Sequence, residues 1–163
     1  MQLGILSDTH DNLLNLLAAL EIFREQGTDT LIHCGDLTGL EMISHFSGFR
    51  IIYTFGNMDF STGTIKKRIE KMCEDNFAGL VFKGQFENIP VAATHSHIEG
   101  ELSALISSQH YKWVFHGHTH KKRDEIIHGV RVVNPGALGG LVKGPRSICI
   151  VDLISEDIKF INI

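Results

Sequence analysis

The sequence predicts an α/β fold in which helices cover two β-sheets. Short apolar runs alternate with stretches of helical periodicity through the first half of the chain, which is the pattern of an α/β domain. The second half contains closely spaced apolar runs separated by short turns, and these favour antiparallel strands. The length of 163 residues predicts one domain over residues 1–163. A hydrophobic content of 43% excludes a disordered chain.

In the first half, three predicted strands alternate with three predicted helices. A helix begins after Asp11 or Asn12, either of which can cap it, and ends at Gly27. Its predicted inner face carries Leu13, Leu16, Leu17 and Leu20, and that of the third helix carries Ile65, Ile69 and Met72. The predicted strands cover residues 2–6, 30–33 and 50–55, and the second and third helices cover residues 40–46 and 64–74.

The second half is predicted to contain seven strands and one helix. The helix covers residues 99–108, between two apolar runs. The strands cover residues 80–86, 91–94, 113–115, 126–127, 130–133, 148–153 and 158–161. Several of these runs are separated by short turns, so we expect antiparallel pairing between them.

Charge and cysteine content restrict the partners and the compartment. The net charge of −4 makes a long nucleic acid a poor partner, because proteins that bind duplexes over a broad surface are usually basic. No apolar run approaches the roughly 20 residues of a membrane span. Cys34, Cys73 and Cys149 form no CxxC pair, which argues against a thiolate zinc site and a disulfide framework. We therefore expect a cytoplasmic protein with reduced cysteines.

Metal-binding side chains follow the predicted strands at the points where those strands end. In open α/β sheets, ligands bind at the carboxyl ends of the strands, so these side chains are expected at one rim. Three pairs have i, i+2 spacing, which places both side chains on the same side of an extended backbone. The set consists of Asp8, His10, Asp36, Asn57, Asp59, His95, His97, His118 and His120.

This combination of carboxylate, imidazole and amide groups predicts a metal site. It suits Mn²⁺, Fe²⁺, Co²⁺, Ni²⁺ or Zn²⁺, and it contains more donors than one tetrahedral ion needs. Two ions could clamp a phosphoryl group and hold a bridging hydroxide as the nucleophile. With Asp8 and Asp36 as the only charged ligands, two divalent ions leave the site near +2, so it should attract an anion.

Five motifs together resemble the calcineurin-like metallophosphoesterase superfamily, and within it the small YfcE-type phosphodiesterases. The motifs are Ser7-Asp8-Thr9-His10-Asp11-Asn12, Gly35-Asp36, Gly56-Asn57-Met58-Asp59, Thr94-His95-Ser96-His97 and Gly117-His118-Thr119-His120. The resemblance covers nearly the full length. It implies a four-layer α/β/β/α sandwich in which two mixed sheets pack face to face between helices.

The resemblance also implies a role for each ligand. Asp8, His10 and His120 would hold the first metal. Asn57, His95 and His118 would hold the second metal, and Asp36 would bridge the two. Two divalent transition metal ions are therefore the expected cofactors, with Mn²⁺ first and Ni²⁺, Fe²⁺, Co²⁺ and Zn²⁺ as alternatives.

One position departs from the wider superfamily. Met58 stands where a histidine usually protonates the leaving oxygen, and a thioether cannot donate a proton. His97 is the first candidate for this catalytic role. Asp59 is the second, with the alternative that it only orients a neighbouring group.

The leading hypothesis is a phosphodiesterase that acts on a small phosphodiester substrate. One alternative is a catalytically silent protein-interaction scaffold, as in the retromer subunit that shares this fold; another is a nuclease or cyclic nucleotide phosphodiesterase. The sequence leaves open whether the chain forms a homo-oligomer. His33, His45, His110 and His128 are interpreted as surface or core-edge residues without a role, and Lys121, Lys122 and Arg123 as a solvated basic strand.

Overall fold

The computed structural model describes residues 1–141 and 144–163, and its strands form two sheets. The first sheet has six strands: β1 (Gln2–Leu6), β2 (Thr30–His33), β3 (Arg50–Thr54), β4 (Phe77–Gly79), β10 (Ser147–Asp152) and β11 (Ile158–Asn162). Their order across the sheet is β11-β10-β1-β2-β3-β4. The pairs from β1 to β4 are parallel, whereas β10 pairs antiparallel with β1 and β11 pairs antiparallel with β10.

The second sheet has five strands and is also mixed. They are β5 (Val81–Phe86), β6 (Ile89–Thr94), β7 (Trp113–His116), β8 (Lys122–Ile127) and β9 (Val130–Pro135). The order is β5-β6-β7-β9-β8, with β6, β7 and β9 parallel and the two outer strands antiparallel to their neighbours. In each sheet, parallel strands therefore direct their carboxyl ends toward one edge.

Three α-helices and one 3₁₀ helix connect the strands of the described residues. The α-helices are α1 (Leu13–Glu25), α2 (Thr62–Met72) and α3 (Glu101–Ser107), and the 3₁₀ helix covers Leu40–Phe46. The Asn12 side chain caps α1 by accepting a hydrogen bond from the backbone N–H of Asn15 at 3.1 Å. No helix in the described part of the chain is long and apolar enough to span a membrane.

Three apolar clusters show how the layers pack. The central cluster joins the two sheets, with Ile5 and Ile32 from the first sheet against Trp113 and Phe115 from the second. A second cluster packs α1, the 3₁₀ helix and α2 on the outer face of the first sheet. A third packs α3 on the outer face of the second sheet. The predicted four-layer sandwich of two mixed sheets is confirmed.

Several predicted details are wrong. The three-residue strand β4 was not predicted, because Phe77–Gly79 is too short to show an alternating pattern. Met72 was placed on the inner face of its helix but is exposed, as are Leu13 and Leu17 on α1. Strand β8 was predicted over residues 126–127 only. Its first half is charged and shows no apolar pattern, because β8 is an edge strand whose polar side chains face the solvent.

Candidate metal centre

All seven predicted ligands lie at the edge where the carboxyl ends of the parallel strands from both sheets meet. The first sheet contributes Asp8 and His10 after β1, Asp36 after β2 and Asn57 after β3. The second contributes His95 after β6, and His118 and His120 after β7. Five of the seven, namely His10, Asp36, Asn57, His118 and His120, line a cleft of about 850 Å³.

One group of donor atoms consists of Asp8, His10 and His120. The Nε2 atom of His120 lies 3.1 Å from Oδ1 of Asp8 and 3.2 Å from Nε2 of His10. The third edge, from His10 Nε2 to Asp8 Oδ1, is 3.8 Å. Donors bound to one ion at about 2.0–2.2 Å are separated by roughly 3–3.5 Å, so two of the three edges have the spacing of a coordination shell and the third is slightly longer.

A second group is centred on His95. Its Nε2 atom lies 3.3 Å from Oδ2 of Asp36 and 3.2 Å from Oδ1 of Asn57. The Nδ1 atom of His118 lies 3.3 Å from the same nitrogen. Asp36 Oδ2 is also 3.8 Å from His10 Nε2. The Asp36 carboxylate therefore stands between the two groups.

The carboxylate of Asp8 provides an independent test of whether a cation fits here. Asp8 is fully buried, and its Oδ2 accepts hydrogen bonds from Ser7 Oγ at 2.6 Å and from the backbone N–H of His118 at 3.0 Å. Its Oδ1 atom is buried without a hydrogen-bond partner among the described residues. A buried carboxylate oxygen without a partner is costly, and a metal ion offsets that cost. The donor set therefore fits a metal.

The loops that carry the ligands have an unusual backbone conformation. Asp8, His10, Asp36, His118 and His120 all have φ angles between 44° and 67°. Such left-handed conformations are uncommon in residues other than glycine and cluster at functional sites. The loops therefore accept local strain while they direct side chains into the cleft.

Glycines before two of the ligands allow the loops to approach each other closely. A Cβ atom at Gly56 would lie 2.0 Å from Oδ1 of Asp36. One at Gly117 would lie 2.0 Å from Ser7 Oγ. These two positions have no room for a side chain, which explains why glycine precedes the Asn57 and His118 motifs.

The carboxylates and imidazoles shift each other's pKa values. Burial alone would lower the pKa of His95, but the hydrogen bond to Asp36 and the nearby carboxylates raise it overall. The adjacent Asp8 carboxylate likewise raises the pKa of His120. Burial and the neighbouring His95 lower the pKa of His118. The two carboxylates therefore attract positive charge, and His118 is kept in the neutral form that ligates metals.

Asp59 lies under the ligands and accepts five hydrogen bonds. Four come from backbone N–H groups and one comes from the hydroxyl group of Tyr53 at 2.6 Å. The four backbone donors are Gly56 at 2.7 Å, Asp36 and Leu37 at 3.1 Å each, and Thr38 at 3.2 Å. This carboxylate joins the loop after β2 to the loop after β3, and it is buried.

His97 lies beside the second donor group. The centre of its ring is 5.4 Å from that of His95 and 6.5 Å from that of His118. Its Nδ1 atom is buried and has no hydrogen-bond partner within the described ranges.

The interpretation of His33 as a surface or core-edge residue is wrong. It is fully buried, and its Nδ1 accepts a hydrogen bond from the backbone N–H of Gly35 at 3.2 Å. Its Nε2 therefore carries the proton and donates to Thr9 Oγ1 at 2.8 Å. His33 thus connects the β1 and β2 loops. Its place at the end of β2, three residues before Asp36, was the available signal.

Asn134 supports the opposite side and was not singled out by the sequence. Its Nδ2 donates hydrogen bonds to the backbone oxygen of Gly117 at 2.8 Å and to Thr119 Oγ1 at 3.2 Å. It is fully buried at the end of β9. The basic run is solvated in part: Lys121 and Lys122 are exposed, whereas Arg123 is half-buried in the edge strand β8 and pairs with Glu125 at 2.8 Å.

Comparisons with known proteins agree with this geometry. The sequence model described as the calcineurin-like phosphoesterase superfamily domain matches residues 1–156. Phosphodiesterase MJ0936 from Methanocaldococcus jannaschii is 34% identical over 161 residues, which cover 98% of this chain and 97% of that protein.

Solved structures give the same result. A structure described as a novel archaeal phosphodiesterase superposes with a TM-score of 0.94 at 34% identity, covering 100% of both chains. The Escherichia coli phosphoesterase YfcE shares the fold, with a TM-score of 0.68 at 18% identity over 99% of this chain and 98% of that one. The predicted family and enzyme class are confirmed, and the chain belongs to the calcineurin-like phosphoesterase superfamily.

Proposed function

We propose that this protein is a phosphodiesterase that uses two divalent metal ions to hydrolyse a small phosphodiester. One observation carries the proposal: seven ligand side chains from two sheets form two adjacent donor groups at one cleft, with the Asp36 carboxylate between them. A structural metal site needs fewer donors and has no cleft beside it. The archaeal relative named as a phosphodiesterase supports the same activity.

The ligands divide between two metals. Asp8, His10 and His120 would hold the first ion, and Asn57, His95 and His118 the second, with Asp36 shared. When bound, the pair of ions supplies Lewis acidity and lowers the pKa of water at the site. The donor set contains no thiolate, which favours Mn²⁺ and leaves Ni²⁺, Fe²⁺, Co²⁺ and Zn²⁺ as alternatives.

Asp59 acts in this proposal as a positioning residue and not as a proton donor. Its two oxygens accept the five hydrogen bonds described above, so both point at the two loops and neither is directed at the cleft. It therefore holds the Asp36 backbone in its left-handed conformation.

His97 is the proposed source of the proton for the leaving group. Met58 cannot supply one, and the His97 ring stands beside His118 and His95 at the second donor group. Its Nδ1 atom has no hydrogen bond to another described residue that would hold the ring in a purely structural role.

The test is a comparison of two substrates on metal-reconstituted protein. With Mn²⁺ present, bis(4-nitrophenyl) phosphate should be hydrolysed faster than 4-nitrophenyl phosphate, because the monoester carries a second negative charge and lacks the second ester group. His110→Ala, which alters an exposed histidine outside the cleft, is the matched control and should keep the wild-type rates. Preference for the monoester would overturn the proposed substrate class.

A further inference from the structure

The rim of the cleft is apolar although its floor is built from metal ligands. Four of its lining residues are Leu13, Leu14, Met58 and Leu141, and all four are exposed to solvent. Leu14 is 80% exposed, and Leu141 is completely exposed. Single exposed apolar residues are common, but a group of them around one cleft marks a binding surface.

These side chains come from three separate segments around the donor atoms. Leu13 and Leu14 begin α1, whose buried face consists of Leu16, Ala19, Leu20 and Phe23, so both leucines lie outside that face. Met58 follows Asn57 in the loop after β3. Leu141 follows Gly140, where an added Cβ would lie 2.9 Å from the His120 ring. The apolar side chains of the rim therefore lie directly beside the residues that carry the metal-binding atoms.

Two polar side chains of the cleft are engaged in holding the site. Asn12 accepts the hydrogen bond that caps α1, and Asn57 faces His95 in the second donor group. No lysine or arginine stands among the described residues that line the cleft, and Asp11 adds a carboxylate there. The described lining therefore offers no cation to pair with a second phosphate, and outside the donor groups its apolar side chains outnumber its polar ones.

We propose, on the basis of the proposed phosphodiesterase function, that the natural substrate carries an apolar ester arm. Its phosphate would lie on the donor groups, and a hydrocarbon or aryl group attached through oxygen would lie against Leu13, Leu14, Met58 and Leu141. Hydrolysis adds water to phosphorus and breaks one P–O ester bond, which yields a phosphate monoester and an alcohol. Burial of the arm against these side chains supplies the binding free energy.

The first experiment varies the arm and keeps the leaving group constant. The substrates are 4-nitrophenyl phosphates whose second ester group is methyl, n-hexyl, phenyl or uridine. The kcat/KM for the phenyl or hexyl ester should exceed that for the methyl ester roughly tenfold, because the arm buries additional apolar surface. The hexyl and phenyl esters distinguish an alkyl from an aryl source. A uridine ester hydrolysed fastest would overturn the inference in favour of a nucleotide.

Variants at the rim connect this preference to the named side chains. Leu14→Ser and Leu141→Ser should each lower the ratio of kcat/KM for the preferred arm to that for the methyl ester about threefold to fivefold. The matched control is Ile154→Ser, which replaces a side chain of 64% exposure in the turn after β10, at the opposite end of the first sheet. The control should keep the wild-type ratio. An unchanged ratio in both rim variants would overturn the assignment.

A binding measurement separates this inference from the proposed activity. Calorimetry on Mn²⁺-loaded protein compares methyl phenylphosphonate with methyl methylphosphonate, which carry the same charge and are not hydrolysed at the P–C bond. Tighter binding of the phenyl compound, lost in Leu14→Ser, supports the apolar arm even if no diester is turned over. Turnover of diesters without any apolar preference in rate or binding contradicts the inference and leaves the phosphodiesterase proposal intact.

Discussion

The two sides of the metal centre differ in how their ligands are held. On the first sheet's side, the two carboxylates of Asp8 and Asp36 are almost completely buried, whereas the His10 side chain is 18% exposed and Asn57 is exposed. On the second sheet's side, His118 is exposed, and the side chain of His120 is 31% exposed. His95 is the buried exception and lies between the two sides, with its Nδ1 against the backbone oxygen of Cys34 at 2.6 Å.

The difference predicts that folding and metal binding are coupled mainly through the two buried carboxylates. A buried carboxylate must be compensated by hydrogen bonds or by a cation: the Asp59 carboxylate accepts backbone hydrogen bonds from the β2 loop, whereas Oδ1 of Asp8 accepts none. The exposed imidazoles carry no such cost in the metal-free protein. Substitutions on the two sides should therefore separate effects on stability from effects on metal binding.

The largest effect is expected for Asp36→Asn. An amide cannot bridge two cations with a negative charge, so bound Mn²⁺ and phosphodiester turnover should both fall, by more than the roughly 10–100-fold typical of residues that only support ligands. Rates with added Mn²⁺ and the metal content of the purified variant test this. Asp75→Asn, at an exposed position outside the cleft, is the control. Wild-type turnover in Asp36→Asn would show that Asp36 does not bridge.

Asp59→Asn should affect both stability and metal binding. The new amide group faces backbone N–H groups, so the free energy of unfolding should fall by about 3 kcal/mol. The affinity for Mn²⁺ should fall roughly 10–100-fold because the Asp36 loop loses its anchor. Tyr53→Phe removes only one of the five donors and should cost about 1.5 kcal/mol. If a folded Asp59→Asn variant bound Mn²⁺ like the wild type, Asp59 would not position the loop.

His33 should make the carboxylate side sensitive to acid. Burial, partly opposed by nearby carboxylates, lowers the pKa of His33 from 6.5 to about 4. Stability from the neutral ring is therefore complete above pH 6.5 and is lost as the pH falls toward 4, since the unfolded chain binds the proton more readily. The loss is about 3 kcal/mol at roughly 1.4 kcal/mol per pH unit.

Urea unfolding of metal-free protein between pH 7 and pH 4 measures this contribution. His33→Gln keeps an amide donor and acceptor but does not titrate, so its free energy of unfolding should fall less steeply than that of the wild type. His116, whose burial also lowers its pKa to about 4, contributes equally to both proteins and cancels in the comparison. If the free energy of unfolding fell equally with pH in both proteins, His33 would not contribute to the acid sensitivity.

The smallest change in stability is expected for His118→Ala. The side chain is exposed, so the free energy of unfolding of the metal-free protein should change by less than about 0.5 kcal/mol. The second donor group nevertheless loses a ligand, and bound Mn²⁺ should decrease. A loss of stability as large as that of Asp59→Asn would contradict the difference between the two sides.

The sequence predicted the convergence of the candidate ligands better than the contacts that support them. Asp8, Asp36 and His95 could be recognised because each follows a predicted strand, and strand ends converge. His33 and Asn134 could not be assigned, because their roles depend on which backbone groups lie opposite them in space, and local spacing does not encode that. For Asp59 the sequence offered two roles, proton donor or orienting residue, and could not choose between them, because its donors come from two different loops.

The strands of the fold were also predicted unevenly. Strands with continuous apolar runs, such as β1 and β7, were predicted within one residue of their bounds. Strand β4 and the charged half of β8 were missed because both form at sheet edges, where pairing with a neighbour, and not burial of both faces, defines the strand. The apolar rim was also missed, since Leu13 was assigned to the buried face of α1.

The central claim is that two metal ions share this centre, and the number of bound ions tests it most directly. Equilibrium dialysis of the wild-type protein against Mn²⁺, followed by elemental analysis, should give two ions per chain. One ion or fewer at saturation would contradict a two-metal centre. Fewer than one, together with no turnover in any divalent metal, would favour a catalytically silent scaffold with this fold.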